Sequence, residues 1–205
     1  MLLPLPLSTL LLLAASQSPP RPRDSVVYTL LPASRLEVRT GKAGVFGFAG
    51  HEHLIRARSF TGQLIYHRDA PARSHVEIVI PTESLEVLTP PDTEEIRKVT
   101  ASMRTEVLDV SHYPEIVFAS RSITWSEGKA HLVGALTIRN QTREVLVDAQ
   151  IDMQGDTLRV TTTFAVKQTD FGIKPYRGGP GGTVRVADRV TFDIRIVAVK
   201  VVTRP

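Results

Sequence analysis

The chain has 205 residues, of which 42% are hydrophobic, enough for one domain with a sizeable core. Its formal net charge of +4 comes from Lys and Arg residues that are scattered rather than gathered in runs, so we do not expect nucleic-acid binding. The sequence has no cysteine, which excludes disulfides, thiolate metal sites and a cysteine nucleophile.

An apolar run from Leu2 to Ala15 opens the chain and is too short to span a bilayer comfortably. Small, polar and then proline-rich residues follow it. We therefore predict a signal peptide over 1–16, a Pro-rich linker over 17–25 and one β-barrel domain over 26–200, in a protein exported to a periplasm or secreted. An uncleaved N-terminal anchor is the alternative, because no Lys or Arg precedes the apolar run.

The first part of the domain alternates polar and apolar residues, as half-buried strands do. The predicted strands are 26–30, 35–39, 54–67 and 75–80. We expect Gly62 to interrupt the third of these strands, and the glycines between Gly41 and Gly50 to form bends.

One helix interrupts the strand pattern. From Thr93 to Leu108, apolar residues recur at three- and four-residue spacing, and Glu94 and Glu95 stand where the helix dipole favours negative charge. The pattern predicts a helix over approximately 93–108 that covers one end of a barrel or an open seam.

The second half of the chain is a regular series of alternating segments separated by turn residues. The predicted strands are 115–124, 130–139, 143–152, 157–167 and 184–199. The fold class is therefore mainly β, an antiparallel up-and-down barrel of about eight strands with one inserted α-helix. A β-sandwich stays open, because alternation does not decide whether a sheet closes.

Four segments carry a resemblance to a known family: Val107–Ser120, Val133–Val145, Lys167–Ile173 and Val186–Ile194. Together they resemble the YceI-like family of small lipid-binding barrels. The resemblance implies a lipocalin-like barrel, exported, whose interior holds a polyisoprenoid or a similar amphiphilic lipid, such as an isoprenoid quinone or its precursor. It implies no cofactor other than this bound lipid.

The candidate ligand-binding residues share one face of their strands. In any barrel that face is apolar merely to form a core, so core packing is the competing interpretation of each. The candidates are Ile116, Phe118, Leu136, Ile138, Val145, Val147, Phe164, Val166, Val190, Phe192 and Ile194, with His53 at the mouth.

Two glycine motifs have structural interpretations. We expect Gly134 to permit a close approach between strands. The segment Asp170-Phe171-Gly172 is expected to form a corner in which Asp170 is hydrogen-bonded to backbone.

The sequence His51-Glu52-His53 is the one weak candidate for a metal site. Residues two apart in a strand face the same side, so two imidazoles could bind one metal ion. The family pattern has a single histidine here, and spacing fixes no third ligand.

Catalytic motifs such as a Gly-x-Ser-x-Gly elbow or a His-Glu-x-x-His helix are absent from the sequence. Three functions stay open: a non-catalytic lipid carrier, a metal- or haem-associated exported protein using His51 and His53, and a structural or interaction barrel with a filled core. For the carrier we expect transient contact with a membrane. Association into a homodimer is left open.

Overall fold

The computed structural model describes residues 25–43, 52–89, 93–178 and 184–201. The predicted signal peptide and most of the linker lie outside these ranges, as do His51 and three glycines of the predicted bends, Gly44, Gly47 and Gly50. The described strands are β1 Ser25–Leu30, β2 Arg35–Ala43, β3 Leu54–Ala57, β4 Thr61–His67, β5 His75–Pro81, β6 Leu85–Val87, β7 Glu115–Ser126, β8 Lys129–Ile138, β9 Gln141–Gln154, β10 Thr157–Lys167, β11 Arg177–Gly178 and β12 Val184–Lys200.

Six of these strands are halves of three longer ones. β1 and β2 follow each other along β12. On their other edge, β1 pairs with β4 and β2 pairs with β3. β4 then pairs with β5, and β3 pairs with β6. Each pair of halves therefore occupies one position in the sheet. Apart from the short β11, the described strands occupy eight such positions, each hydrogen-bonded antiparallel to the next.

β12 closes the sheet into a barrel. One edge pairs with β10 from Lys167↔Arg189 to Thr157↔Val199, and the other edge pairs with β2 and then β1. Because the last position pairs with the first, the up-and-down barrel of eight strands is confirmed and the sandwich alternative is wrong.

The strands break at positions where the sequence has no strong turn signal. The third predicted strand breaks at residues 58–60, whereas Gly62 continues inside β4, so the expected break at Gly62 is wrong. A Cβ on Gly62 would lie 2.8 Å from the carbonyl oxygen of Glu77 on β5. Gly62 therefore keeps the two strands close instead of separating them.

The predicted helix is confirmed. α1 spans Thr93–Ser102 and continues as a π-helical turn over Met103–Val107, one residue short of the expected end. Its apolar residues Ile96, Val99 and Met103 pack on the barrel core. β5 pairs with β7 only as far as Pro81↔Glu115, and α1 lies against β6 beyond that point. The helix therefore covers the end of the barrel where these strands separate.

A second seam is closed without a helix. β9 pairs with β10 only from Gln154 to Ala149, while the rest of β9 continues on β8. The 3₁₀ turn Gln168–Phe171 contacts β9 and places Phe171 in the core, 1% exposed. Gly172, at φ +68°, ends this turn in the left-handed conformation that suits glycine.

The kink between β1 and β2 predicts a local stability effect. The Ser34 hydroxyl donates to the carbonyl of Val197 at 3.0 Å and accepts from the Val197 N–H at 2.9 Å. Ser34→Ala should lower the free energy of unfolding by about 1 to 2 kcal/mol, because it leaves a backbone N–H without its partner. Urea unfolding measures this. Ser122→Ala, at an exposed serine of β7, is the control and should have little effect; equal losses in both variants would contradict the assignment.

Candidate functional site

The barrel interior contains two adjoining cavities. The outer chamber has a volume of about 430 Å³ and the inner chamber about 130 Å³. Five side chains line both: Leu36, Ile80, Ile116, Phe192 and Ile194. We call these five residues the neck, because they stand where one chamber meets the other.

The outer chamber lies beneath α1 and has a polar rim. Val99 of α1 and Met103 of the π-helical turn form part of its wall, together with Val166 on β10 and Val190 on β12. Polar side chains also line this chamber: Thr40, His53, Glu95, Lys98, Ser102, Gln168, Tyr176 and Arg185. An amphiphile whose polar end lies at this rim would have hydrogen-bonding groups there and apolar walls behind it.

The inner chamber is almost wholly apolar. Its two polar side chains are already bonded: the Thr162 hydroxyl donates to the carbonyl of Asp148 at 2.7 Å, and the Trp125 indole donates to the carbonyl of Pro71 at 3.2 Å. Trp125 also packs edge-on against Tyr66. This chamber therefore suits hydrocarbon and offers a polar group no partner.

The structure brings eleven of the twelve predicted residues to the cavity walls. Phe118, Leu136, Val147 and Phe164 line the inner chamber; Ile138, Val166, Val190 and His53 line the outer chamber; Ile116, Phe192 and Ile194 belong to the neck. Val145 lines neither chamber and is buried in the core. Its position beside the seam at Phe171 explains this, because β10 has already diverged from β9 there. Ligand contact by these residues stays a prediction.

Aromatic rings shape the inner chamber. Phe164 on β10 stacks on its register partner Phe192 on β12, with centroids 4.9 Å apart. The Phe118 ring occupies the space where Gly134 would carry a Cβ. The expected close approach at Gly134 is therefore made by a ring rather than by backbone.

Sequence reasoning missed a large part of the wall. The missed residues include Leu36 and Val38 on β2, Met103 in the π-helical turn and Trp125 on β7, each of which lines a chamber. The alternation Arg35-Leu-Glu-Val-Arg39 could have identified Leu36 and Val38, since they share the apolar parity. Trp125 gave no such signal, because the register of β7 shifts between Ser120 and Ser122.

His53 is held by its neighbours. Its Nδ1 donates to the carbonyl of Thr89 at 2.8 Å, and its backbone N–H donates to the Thr40 hydroxyl at 3.1 Å. In the neutral ring Nε2 is then the acceptor. His51 lies outside the described residues, and within them no group of three or more His, Asp and Glu side chains is placed to hold a metal ion.

The turn that carries Phe171 is bound by Asp188, not by the expected Asp170. The Asp188 carboxylate accepts from the N–H of Thr169 at 2.9 Å and from the Thr169 hydroxyl at 2.8 Å. These bonds, helped by the charge of Lys167, hold the pKa of Asp188 below its usual value. Asp170 is exposed.

Known proteins fit this architecture. The model of the YceI-like domain matches residues 33–198. The chain belongs to the YceI-like family. Protein YceI of Salmonella newport (strain SL254) is 24% identical over 140 residues, which cover 64% of this chain and 70% of that protein. UPF0312 protein Ent638_1570 of Enterobacter sp. (strain 638) is 27% identical over 140 residues, which again cover 64% of this chain and 70% of that protein.

Solved structures agree on the fold of this YceI-like chain. BcnA of Burkholderia cenocepacia has a TM-score of 0.64 at 19% identity, covering 83% of this chain and 99% of BcnA. A polyisoprenoid binding domain from Saccharophagus degradans, implicated in plant cell wall breakdown, has a TM-score of 0.63 at 11% identity, covering 85% and 98%. The family and fold predicted from the sequence are confirmed.

The lowered pKa of Asp188 predicts a stability change at acid pH. A depressed pKa stabilises the fold above the pKa of an unfolded aspartate, about 4, and this stabilisation disappears as the pH falls through the lower folded-state pKa. Asp188→Asn should therefore be less stable than the wild type at neutral pH, with the difference narrowing below about pH 4. Urea unfolding over a pH series measures this.

Asp170→Asn is the matched control, because it changes an exposed carboxylate of the same turn. Its free energy of unfolding should equal that of the wild type over the whole pH series. A difference for Asp188→Asn that persists unchanged at acid pH would contradict the prediction.

Proposed function

We propose that this YceI-like protein is a non-catalytic carrier that holds a polyisoprenoid or a similar amphiphilic lipid inside its barrel. The observation that carries the proposal is a pair of connected apolar cavities that runs inward from a polar rim. A barrel with a filled core, the third function left open by the sequence, would lack this space. The polyisoprenoid binding domain from Saccharophagus degradans, which shares the fold, supports the ligand class.

Burial of hydrocarbon supplies the binding energy in this proposal. Each methylene transferred from water to the apolar wall contributes about 0.8 kcal/mol, so few polar contacts are needed. His53 is proposed as one contact at the head group, since its Nε2 can accept a hydrogen bond from a hydroxyl when Nδ1 is bound to Thr89. The rim side chains Lys98 and Arg185 suit an oxygen-rich or acidic head group.

We also propose export, as the apolar run at the start of the sequence suggests. The helices in the described part of the chain are all too short or too polar to cross a bilayer.

Filling the outer chamber tests the carrier function. Val190→Trp places an indole in the chamber, and Thr191→Trp places the same group on the outer face of the same strand. We expect Val190→Trp to reduce the lipid recovered with the purified protein by about tenfold, a loss near 1.4 kcal/mol, and Thr191→Trp to leave it unchanged. Organic extraction followed by mass spectrometry measures the lipid. Wild-type protein from its native host that yields no stoichiometric lipid would refute the carrier function.

A basic outer surface supports contact with a membrane. Among the exposed cationic side chains that face outward from β2, β10 and β12 are Arg35, Arg39, Lys167, Arg189 and Arg195. We call them the basic face. Arg35 and Arg195 lie directly opposite each other in the register, while the carboxylates of Glu37 and Asp193 on the same face are only 11% and 19% exposed. The exposed charge is therefore positive.

The basic face adjoins the mouth of the cavity. Lys167 follows Val166, and Arg189 precedes Val190. Both valines line the outer chamber. We propose that this face lies on an anionic lipid surface while cargo enters or leaves. Guanidinium groups bind phosphate oxygens well, and each cation near an anionic membrane contributes about 1 kcal/mol.

Vesicle binding tests the basic face. Arg35→Gln with Arg195→Gln should reduce co-sedimentation with phosphatidylglycerol vesicles by about tenfold, and binding to phosphatidylcholine vesicles should be weak for every variant. The control, Arg121→Gln with Arg143→Gln, removes the same formal charge from β7 and β9, outside the basic face, and should bind like the wild type. Equal losses of vesicle binding in the two double variants would contradict a role specific to the basic face. If Arg35→Gln with Arg195→Gln changes the oligomeric state in gel filtration, the basic face would instead be a contact between two copies of the chain.

A further inference from the structure

We propose that the amide oxygen of Gln168 selects the head group of the ligand in the outer chamber. The preferred head group donates hydrogen bonds, as a phenol or a quinol does, whereas a quinone only accepts them. This preference rests on the carrier function proposed above and adds a polar determinant of specificity to it. It concerns the head group alone and holds for any hydrocarbon chain attached to it.

Gln168 is the most enclosed polar side chain of the outer chamber. Of the polar side chains that line this chamber in the described part of the chain, it alone is buried, at 8% exposed. The cationic donors Lys98 and Arg185 are exposed, and each already interacts with another group. A head group that contacts Gln168 has therefore left bulk water, and the protein must replace the hydrogen bonds that it loses.

One hydrogen bond fixes the orientation of the Gln168 amide. Its Nε2 donates to the carbonyl of Ala187 at 2.8 Å, and only the nitrogen end can do so, because a carbonyl oxygen accepts. The other end, Oε1, has no hydrogen-bond partner among the described residues. No side-chain oxygen of those residues is both sealed from solvent and unpaired, so Oε1 is reachable from the chamber that Gln168 lines. It is therefore an acceptor that a head group can use.

A bulge in β12 holds this amide in place. The bulge lies at residues 187–189, where the register of β12 against β2 shifts. Ala187 binds the side chain of Gln168, and the carboxylate of Asp188 binds the N–H and hydroxyl of Thr169, the next residue of the turn. Bulges commonly redirect a side chain beside a binding site. Because the amide is fixed before a ligand arrives, little conformational entropy is lost when it forms a hydrogen bond to the ligand.

A second acceptor is held near the same bulge. His53 Nδ1 donates to the carbonyl of Thr89 at 2.8 Å, so Nε2 of the neutral ring is an acceptor. The backbone N–H of His53 donates to the hydroxyl of Thr40. Thr40 precedes Gly41, at which a Cβ would lie 3.4 Å from the Cβ of Ala187 in the bulge. The outer chamber therefore presents two acceptors at a similar level of the barrel.

These two acceptors decide which head groups fit. A quinol brings protons to them, whereas a quinone carbonyl brings none and leaves both unpaired. The hydroxyl groups of Thr40, Ser102 and Tyr176 donate or accept and so do not discriminate between the two forms. A site built to bond a ligand hydroxyl rejects the analogue that lacks it, because its buried polar groups lose their partners.

Binding of one quinone in its two redox states tests the preference. Decylubiquinone and decylubiquinol share the same tail, so the burial of the tail cancels in the ratio of their affinities. Delipidated full-length protein under argon should bind the quinol at least about tenfold more tightly, as measured by native mass spectrometry. Tighter binding of the reduced form raises the midpoint potential of the bound quinone, by about 30 mV for a tenfold ratio, and a redox titration checks this shift.

Two variants each remove one acceptor. Gln168→Met replaces the amide by an apolar chain of similar size, and His53→Asn keeps a donor for Thr89 but loses the Nε2 acceptor. Each should lower the ratio of quinol to quinone affinity by at least about threefold. The control, Gln63→Met, changes an exposed glutamine of β4 and should leave the ratio unchanged. A general loosening of the fold affects both forms alike and cancels in the ratio.

Equal affinity of the wild type for the two forms, or a ratio that neither variant lowers, would overturn the head-group preference while leaving the carrier function intact. A ratio lowered by His53→Asn alone would contradict the role of Gln168. If circular dichroism shows that Gln168→Met does not fold, the wild-type ratio and His53→Asn decide. Binding of neither form would instead contradict the carrier function for quinone-type lipids, and the head-group preference with it.

Discussion

The hydrogen bonding of β12 along both edges is the constraint on which the rest of the structure depends. Its seventeen residues pair with β10 on one side and with β2 and β1 on the other. Without this closure the apolar faces of the strands would need a second sheet to cover them. With it, they face one another across an interior of fixed width, and the space between them becomes a cavity.

Closure alone would leave the barrel open at the places where strands separate. α1 covers the end beyond Pro81, and the turn Gln168–Phe171 fills the gap between β9 and β10. Arg139 links these two elements. Its guanidinium lies 5.1 Å from the ring centroid of Tyr113 and donates to the carbonyls of Val107 and Gly172, which end the helix and the turn. The cover of the outer chamber is therefore fixed at several points.

Side chains of different size divide the interior of the barrel. The stacked rings of Phe164 and Phe192, and the Phe118 ring over Gly134, occupy the middle of the barrel. Smaller residues such as Ala130, Ala149 and Ala198 line the inner chamber around them. An apolar space of this kind offers water few polar partners. This property makes it suitable for hydrocarbon.

By itself the sequence determined the mainly β character, the helix and part of the wall, because these depend on local periodicity. Alternation along each strand puts Phe164, Val166 and Ile194 on the inner face, and three- to four-residue spacing identifies α1. The motif around Asp170 is located correctly as a corner. The bonding carboxylate is not, because Asp188 belongs to β12 and only the closed barrel brings it alongside Thr169.

Tertiary structure alone decided whether the sheet closes, where the strands break and how the interior is divided. Long-range pairing sets the register of β12 against β1 and β2, and no local pattern encodes it. The same pairing collects scattered arginines and Lys167 into the basic face and brings Leu36, Ile116 and Phe192, from strands far apart in the sequence, together as a neck. Periodicity indicates which side of a strand is apolar; the volume enclosed between those sides depends on every strand at once.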